Sequence, residues 1–492
     1  MSSKTIIILA ILSIFTRFYG LNWNSGYFSH PDENNMATAL SQLSSTNLNP
    51  HFFAYGQFPL YLGYFSLKLI NIPNTFSNSI YTLRLYSAFF SLLLLYFGYL
   101  LVKILFQSSV LSALFTLLLI FSPGLIQISH FGTTESLLSF IFIVNLYFLI
   151  KIFQKPYFKY FIFSALYSGI ALGSKITALF FIWPIILMGL YKKQHLSTLF
   201  FILLLSFIFL LSSPFNIINI NDFISTMRYE TGIATGAIEV FYTRQFQNTI
   251  PYLFQFTHIF PYVLGFPIFI FSLFGIITFI ENCKLKIVNY KYWMFILIPI
   301  FIYFVYFGSL FVKWTRFMSP IFFIFPLFAT LFISRLKSRY QLLVTSICIL
   351  PGLLFFCQYF SPNPRILATN WTNNNLPENS AILSESGNVA DLKLRPDINI
   401  INFDFYTLDN NYENKIQLDN LLSTVDYVLI PSRRVFKNQN NPLFPYSQNY
   451  YQTLFSSNFK LIYQTKNSSE SAEETFTVFD FPTIRLFEKI KN

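Results

Sequence analysis

The sequence predicts a polytopic α-helical membrane protein with a small α/β domain at its C-terminal end. Three observations predict it. Of 492 residues, 54% are hydrophobic and only 11% are charged, where a soluble domain carries roughly 25% charged residues. Apolar runs of bilayer-spanning length recur between residues 5 and 357. Beyond residue 358 the composition turns polar and Pro/Asn-rich, and short apolar runs alternate with helix-like stretches.

Taken in order, the first run is "TIIILAILSIFTRFYG". It has no small-x-small cleavage site and Arg17 interrupts its end, so it reads as an uncleaved first helix over 5–21 rather than a removable leader. Further spans are predicted at 80–102, 109–128, 134–150, 158–173, 176–191, 196–213, 259–280, 292–311, 317–334 and 340–357, about eleven in all. A twelfth stretch, "FPLYLGYFSLKLINI" (58–72), is shorter and holds Pro59, Gly63 and Lys68.

Charge orients these spans. Lys151, Lys155 and Lys159, then Lys192 and Lys193, then Lys284, Lys286 and Lys291, then Arg335, Lys337 and Arg339 mark four cytoplasmic connections. With Lys4 also inside, the N-terminus is cytoplasmic and residues 22–79 form a first outer loop. The stretch 58–72 is then a juxtamembrane or re-entrant helix, not a span. A membrane domain over 1–357 hands over to an extracytoplasmic domain over 358–492. In that domain the runs "AILS", "INIINFDFY", "VDYVLIPS", "FKLIYQT" and "TFTVFDF" supply the apolar segments, and "IQLDNLLST" and "SQNYYQTLFSS" the helix-like ones. Its carboxylates Glu385, Asp391 and Asp404 are expected to be ordinary surface groups. No internal repeat is visible.

Composition also excludes functions. The net charge of +12 carries no long basic run with interleaved aromatics, which argues against nucleic-acid binding. The 64 Phe accompany many Ile, Asn, Lys and Tyr, so aromatic stripes read as lipid-facing or packing surface. Cys283, Cys348 and Cys357 lie in or beside apolar segments, with neither metal-ligand spacing nor a disulfide framework.

The predicted orientation collects unusual polar residues at the outer membrane face. Asp32 and Glu33 follow Pro31 in "GYFSHPDENNMATAL". Arg84 opens the second span, His130 and Glu135 lie in "SPGLIQISHFGTTES", Lys175 in "GIALGSKITALF", and Lys313 and Arg316 in "FVKWTRFMSP". Each has a plain structural reading. The cations can snorkel to headgroups, His130 can close a helix end, and Glu135 can sit in a first helical turn. Pro31 and Asp32 can open a juxtamembrane helix. Together at one membrane edge they invite a chemical reading. A carboxylate there can deprotonate a hydroxyl acceptor. Nearby Arg and Lys can hold a phosphate and stabilise its departure. A lipid-linked sugar phosphate places its phosphate at this interface and its tail in apolar grooves between spans. Displacement with one base opposite a departing phosphate inverts the anomeric centre.

These residues resemble a known family. "SHPDE" after the first span is similar to the acidic motif of GT-C fold membrane glycosyltransferases, in the branch of bacterial protein O-mannosyltransferases and aminoarabinose transferases. "YGQFPLYLGYF", "RLYSAFFSLLL", "SPGLIQISHFGTTESLLSF", "GIALGSKITALFFIWP", "KWTRFMSPIFFIFP" and "NWTNNNLPENSAILSES" follow in order. The resemblance implies a cell-membrane enzyme that takes sugar from a polyprenyl phosphate, with Asp32 as catalytic base and Glu33 beside it. It implies Arg84, Lys175, Lys313 and Arg316 as donor-phosphate ligands, with His30, Tyr55, His130 and Glu135 as candidate substrate contacts. Relatives often carry Lys where Gln57 stands and Asp where Glu135 stands. Lys175, Lys313 or Arg316 is expected to supply the missing cation. Some other branches need a divalent metal, for which Asp32, Glu33, His130 and Glu135 are the candidate ligands. This branch generally does not, so no metal or other cofactor is expected. The sugar and the acceptor (protein, lipid or glycan) stay open. The competing readings are a transporter or flippase of a lipid-linked substrate, which midplane charges and repeats would mark, and a non-catalytic envelope scaffold.

Overall fold

A computed structural model describes residues 3–238, 240–284, 290–386, 392–432, 442–456, 458–465 and 476–490. The chain forms two compact units. One comprises Met1–Leu21, Asp32–Gly232 and Pro251–Gln358; the other comprises Asn22–Pro31, Ile233–Ile250 and Tyr359–Asn492. The change of unit near residue 358 coincides with the composition change. The second unit also gathers two short segments from earlier in the chain.

Among its described residues the first unit is built of helices and connecting turns, with no strand. Helix α1 spans Ser3–Phe18, α2 Pro31–Ser41, α3 Phe58–Leu69 and α4 Phe76–Phe106. Thr75 caps α4 by accepting from the Asn78 amide, and Gln107 ends it in the left-handed conformation. Helices α5 (Ser109–Ile120) and α6 (Pro123–His130) make one apolar pair bent by 61°. Proline at the start of α6 cannot continue the ladder of α5. The fully buried Arg17 guanidinium serves the break. It donates to the Leu119 and Ile120 carbonyls at the end of α5, at 3.1 and 3.0 Å, and to Ser91 Oγ at 2.9 Å. A cation at a helix C-terminus opposes the negative pole of the helix dipole. Arg17 is thus a tie for the broken span, not a mere interruption of the first helix.

Helix α7 (Glu135–Gln154) is the buried post of this unit, and α6 is buried along its whole length. Around them lie α8 (Phe158–Leu172), α9 (Leu179–Tyr191) and α10 (His195–Ser212). The short α11 (Phe215–Ile218) leads to α12 (Ile220–Thr235). Helices α13 (Phe260–Leu264), α14 (Phe266–Lys284), α15 (Tyr290–Ser309), α16 (Ile324–Ser334) and α17 (Ser338–Cys357) complete the unit. Apolar side chains such as Leu196, Leu203 and Leu211 of α10 and Leu342 and Leu354 of α17 are exposed, as a lipid-facing surface requires.

Each of the eleven predicted spans is helical. Among the described residues, six helices are long and apolar enough to cross a membrane, or up to eight if each bent pair is one span. The remaining predicted spans are helices of 16 residues or fewer or are broken into pieces. Helix α3 has 12 residues, about 18 Å at 1.5 Å per residue, well short of the ~30 Å apolar layer of a bilayer.

The second unit holds a five-stranded mixed sheet in the order β2-β1-β3-β5-β4. The strands are β1 (Ala381–Ser386), β2 (Asn399–Asp404), β3 (Tyr427–Ile430), β4 (Phe459–Gln464) and β5 (Arg485–Lys489). β1 pairs in parallel with β2 and β3, while β5 runs antiparallel to β3 and β4. Successive residues feed opposite faces. Leu383, Val428 and Ile430 pack under α19 (Tyr412–Thr424) and α20 (Pro445–Leu454), while Ile382, Tyr427 and Leu429 pack with Ala368 of α18 (Pro364–Asn375).

Four of the five predicted apolar runs are strands. In "TFTVFDF" the described residues 476–481 make turns, and the last strand is the later "RLFEK". One expected surface group is wrong. Glu385, near the end of β1, is buried and accepts the Tyr451 hydroxyl at 2.6 Å. Burial and this carboxylate hold the Tyr451 phenol well above its usual range. Asp404 is exposed, and Asp391 lies outside the described residues.

Candidate active site

Helix α2 begins at Pro31, so Asp32 and Glu33 occupy its first turn. A proline costs no hydrogen bond there, and carboxylates suit the positive end of the helix dipole. Adjacent residues on an α-helix point about 100° apart. The two carboxylates therefore part company, and the structure gives them different surroundings.

Glu33 turns inward and is fully buried. Its two oxygens accept from Arg84 Nε and Nη2, each at 2.7 Å, and Oε1 also accepts the Gly132 amide at 2.6 Å. Arg84 is equally buried and spends Nη1 on the Leu21 carbonyl at 2.8 Å. The approach leaves no room for a side chain at 132. A Cβ there would come within 2.8 Å of Leu83 Cβ and 3.4 Å of the Glu33 carboxylate. This bidentate pair ties α2 to α4 and to the loop before α7.

Asp32 turns the other way and remains 18% exposed. It is ion-paired with Arg316, whose guanidinium lies 4.6 Å from the Trp314 ring centroid and is 27% exposed. Arg316 belongs to a 3₁₀ turn, Thr315–Ile321. Its neighbour in that turn, Phe317, approaches a second charged group. Lys175 Nζ lies 5.9 Å from the Phe317 ring and 4.9 Å from the Tyr55 ring, and it pairs with Glu135 at 3.2 Å. The single turn "WTRF" thus brings together Asp32, Arg316, Lys175, Glu135 and Tyr55 from five separate stretches of sequence.

Backbone contacts set this arrangement. The Gly56 amide donates to the Ser174 carbonyl at 2.8 Å and the Phe58 amide to Gly173 at 3.1 Å. A Cβ on Gly56 would lie 2.1 Å from the Gly173 oxygen, so only glycine allows the approach. Gln57, where relatives often carry Lys, is fully buried. Its amide nitrogen donates to Asn216 Oδ1 at 3.2 Å, and its side-chain oxygen accepts the Phe215 amide at 3.0 Å and the Tyr61 hydroxyl at 3.3 Å. A neutral amide suits that interior seat, and Lys175 is the cation beside Tyr55.

The other expected residues lie elsewhere. Lys313 is buried and donates to the Phe311 carbonyl at 2.9 Å; burial pushes its ammonium down from its usual range. His130 is fully buried, with its ring nitrogens 2.8 Å from the Ile126 and Tyr19 carbonyl oxygens. It fastens α6 to the end of α1. His30 belongs to the second unit, where its ring lies 4.5 Å from Phe479. The neighbouring Ser29 hydroxyl donates to the Phe479 carbonyl at 2.9 Å.

Sequence reasoning missed Glu230 of α12. Burial pushes its carboxyl up, and Lys175 opposes that shift. The Tyr55 phenol is raised by burial and then by Glu135 and Glu230 together. The available signal was scarcity, since the chain has only 21 acidic residues. Among the described residues, no three His, Cys, Asp or Glu side chains form a metal-ligand group.

Comparison with known proteins bears on the fold. Residues 7–229 match the family model described as dolichyl-phosphate-mannose-protein mannosyltransferase. No curated protein sequence matches the chain. Among solved structures, ArnT from Cupriavidus metallidurans bound to undecaprenyl phosphate is similar over 99% of this chain and 98% of its own, at 11% identity and a TM-score of 0.51. The oligosaccharyltransferase of Archaeoglobus fulgidus in its apo form is similar over 99% of this chain and 88% of its own, at 13% identity and a TM-score of 0.55. The chain shares the GT-C fold of these two proteins, the fold that its motifs implied, and its first half resembles the mannosyltransferase family model.

Proposed function

We propose that this GT-C fold protein is a glycosyltransferase that moves a sugar from a polyprenyl-phosphate donor to an acceptor hydroxyl on the outer face of the membrane, with inversion. The observation that carries the reading is the turn "WTRF". It pairs one solvent-reachable carboxylate, Asp32, with Arg316 and stands next to Lys175. Asp32 takes the acceptor's hydroxyl proton, and the oxygen attacks the anomeric carbon. The bond from that carbon to the phosphate oxygen breaks, and the phosphate departs with the electron pair. Arg316 and Lys175 neutralise its charge. Glu33 and Arg84, locked to each other, aim the base rather than touch the substrate.

The lipid tail has a suitable seat. An open, mainly apolar groove of about 450 Å³ runs between α3, α8 and α10, lined by Phe58, Tyr61, Phe65, Leu69, Ile170 and Leu211. The matched ArnT structure holds undecaprenyl phosphate, which supports a donor of this class. The reaction proceeds without a divalent metal, its cations being side chains.

Replacing Asp32 by Asn tests the base. Transfer from a labelled polyprenyl-phosphate sugar falls by a factor of about 10² to 10⁴, with normal accumulation of the protein. Near-wild-type transfer would sink the assignment. Lys175→Ala weakens binding of a polyprenyl phosphate, and unchanged affinity would remove Lys175 from the phosphate site.

A further inference from the structure

We propose that Arg316 keeps the Asp32 carboxylate neutralised until the donor's phosphate draws the guanidinium away, so that the donor binds before the acceptor is activated. The inference rests on the reading of Asp32 as base and adds an order of events to it.

Two carboxylate–guanidinium pairs sit on the first turn of α2, and they are built for different purposes. The Glu33–Arg84 pair is wholly buried, bidentate, and reinforced by the Gly132 amide and the Leu21 carbonyl. Separating it would strand two buried charges. The Asp32–Arg316 pair lies at the surface of the unit, with both side chains partly exposed. Ion pairs in such a setting are weakly held, so a better anion can displace the carboxylate.

A phosphate is such an anion. It offers several charged oxygens to a planar guanidinium, which can bind two at once. Trp314 supplies the pivot. Its ring centroid lies 4.6 Å from the guanidinium carbon, so the cation keeps an aromatic contact while the N–H group now on Asp32 passes to a phosphate oxygen. While Arg316 holds Asp32, the carboxylate spends acceptor capacity on the guanidinium instead of on a hydroxyl proton. Once the phosphate takes Arg316, that capacity returns to Asp32 for the acceptor's hydroxyl proton. The exchange moves no atom between molecules and needs no co-reactant.

Competition for one guanidinium has a distinctive consequence. Removing the charge of Asp32 must strengthen binding of the lipid phosphate. The test measures the affinity of the full-length, detergent-solubilised protein for a polyprenyl monophosphate. Asp32→Asn is expected to bind about 3- to 10-fold more tightly than wild type. Arg316→Ala binds more weakly, and in the double variant the gain from Asp32→Asn disappears. Asp32→Ser gives the same readout should the Asn variant fail to accumulate. Unchanged or weaker binding by both Asp32 variants overturns the inference, as does a gain that survives loss of Arg316. Turnover separates this outcome from the parent reading. An inactive Asp32→Asn with unchanged affinity defeats only the ordered release, whereas an active one defeats the base itself.

Discussion

Residue by residue, the acidic pair "DE" shows how helix geometry divides labour. One step along a helix turns a side chain by about 100°, which here separates a buried tie from a partly exposed carboxylate. Glu33 is expected to behave as a structural group. Glu33→Gln removes the carboxylate that faces the buried Arg84 guanidinium, at a cost of about 3–5 kcal/mol, read as a lowered unfolding temperature in detergent. Replacing both residues by neutral partners recovers part of the loss. If Glu33→Gln were inactive yet as stable as wild type, Glu33 would belong to the chemistry instead. The pairing was not legible in the sequence. Glu33 and Arg84 lie 51 positions apart, and nothing in local composition tells a clamp from a phosphate ligand.

At the scale of elements, the site depends on how closely segments without side-chain bulk approach one another. The loop before α3 is stitched to the turn after α8 through Gly56 and Gly173. Gly56→Ala forces that contact apart. The expected cost is about 1–3 kcal/mol, as for overpacked interiors, and binding of a polyprenyl phosphate weakens because Tyr55 and Lys175 shift together. Unaltered stability and affinity would show that the loop is not a fixed part of the site. The apolar runs were readable as helices because membrane spans carry a strong local signal. Breaks such as the 61° bend between α5 and α6 were not. Their free carbonyls are satisfied by Arg17, a residue about a hundred positions away.

For the whole molecule, the distribution of Lys and Arg proposes one orientation. Cysteines placed at Asn71, after α3, and at Asn420, in the second unit, are expected to react with a membrane-impermeant thiol reagent added outside intact cells. A cysteine at Lys337 is expected to react only after permeabilisation. The native cysteines are first replaced, since Cys357 is exposed. Protection of the Asn71 position would make α3 part of a crossing. The second unit gathers Asn22–Pro31 and Ile233–Ile250 as well as the C-terminal segment, so the segment that carries His30 groups with residues distant in sequence.

The sequence alone determined the membrane class, most of the helical segments, the small α/β domain and the short list of polar residues. Each of these follows from local composition and period, which a chain displays wherever it folds. Only the tertiary structure decided which of those polar residues meet. It paired Arg84 with Glu33, set Lys313 and His130 to bonding backbone carbonyls, and left Asp32, Arg316 and Lys175 around one turn. It also added Glu230, which no motif marked. The reason is physical: a charge buried in an apolar unit must find a partner in space, and the partner's place in the sequence is fixed by packing between distant segments, not by spacing along the chain.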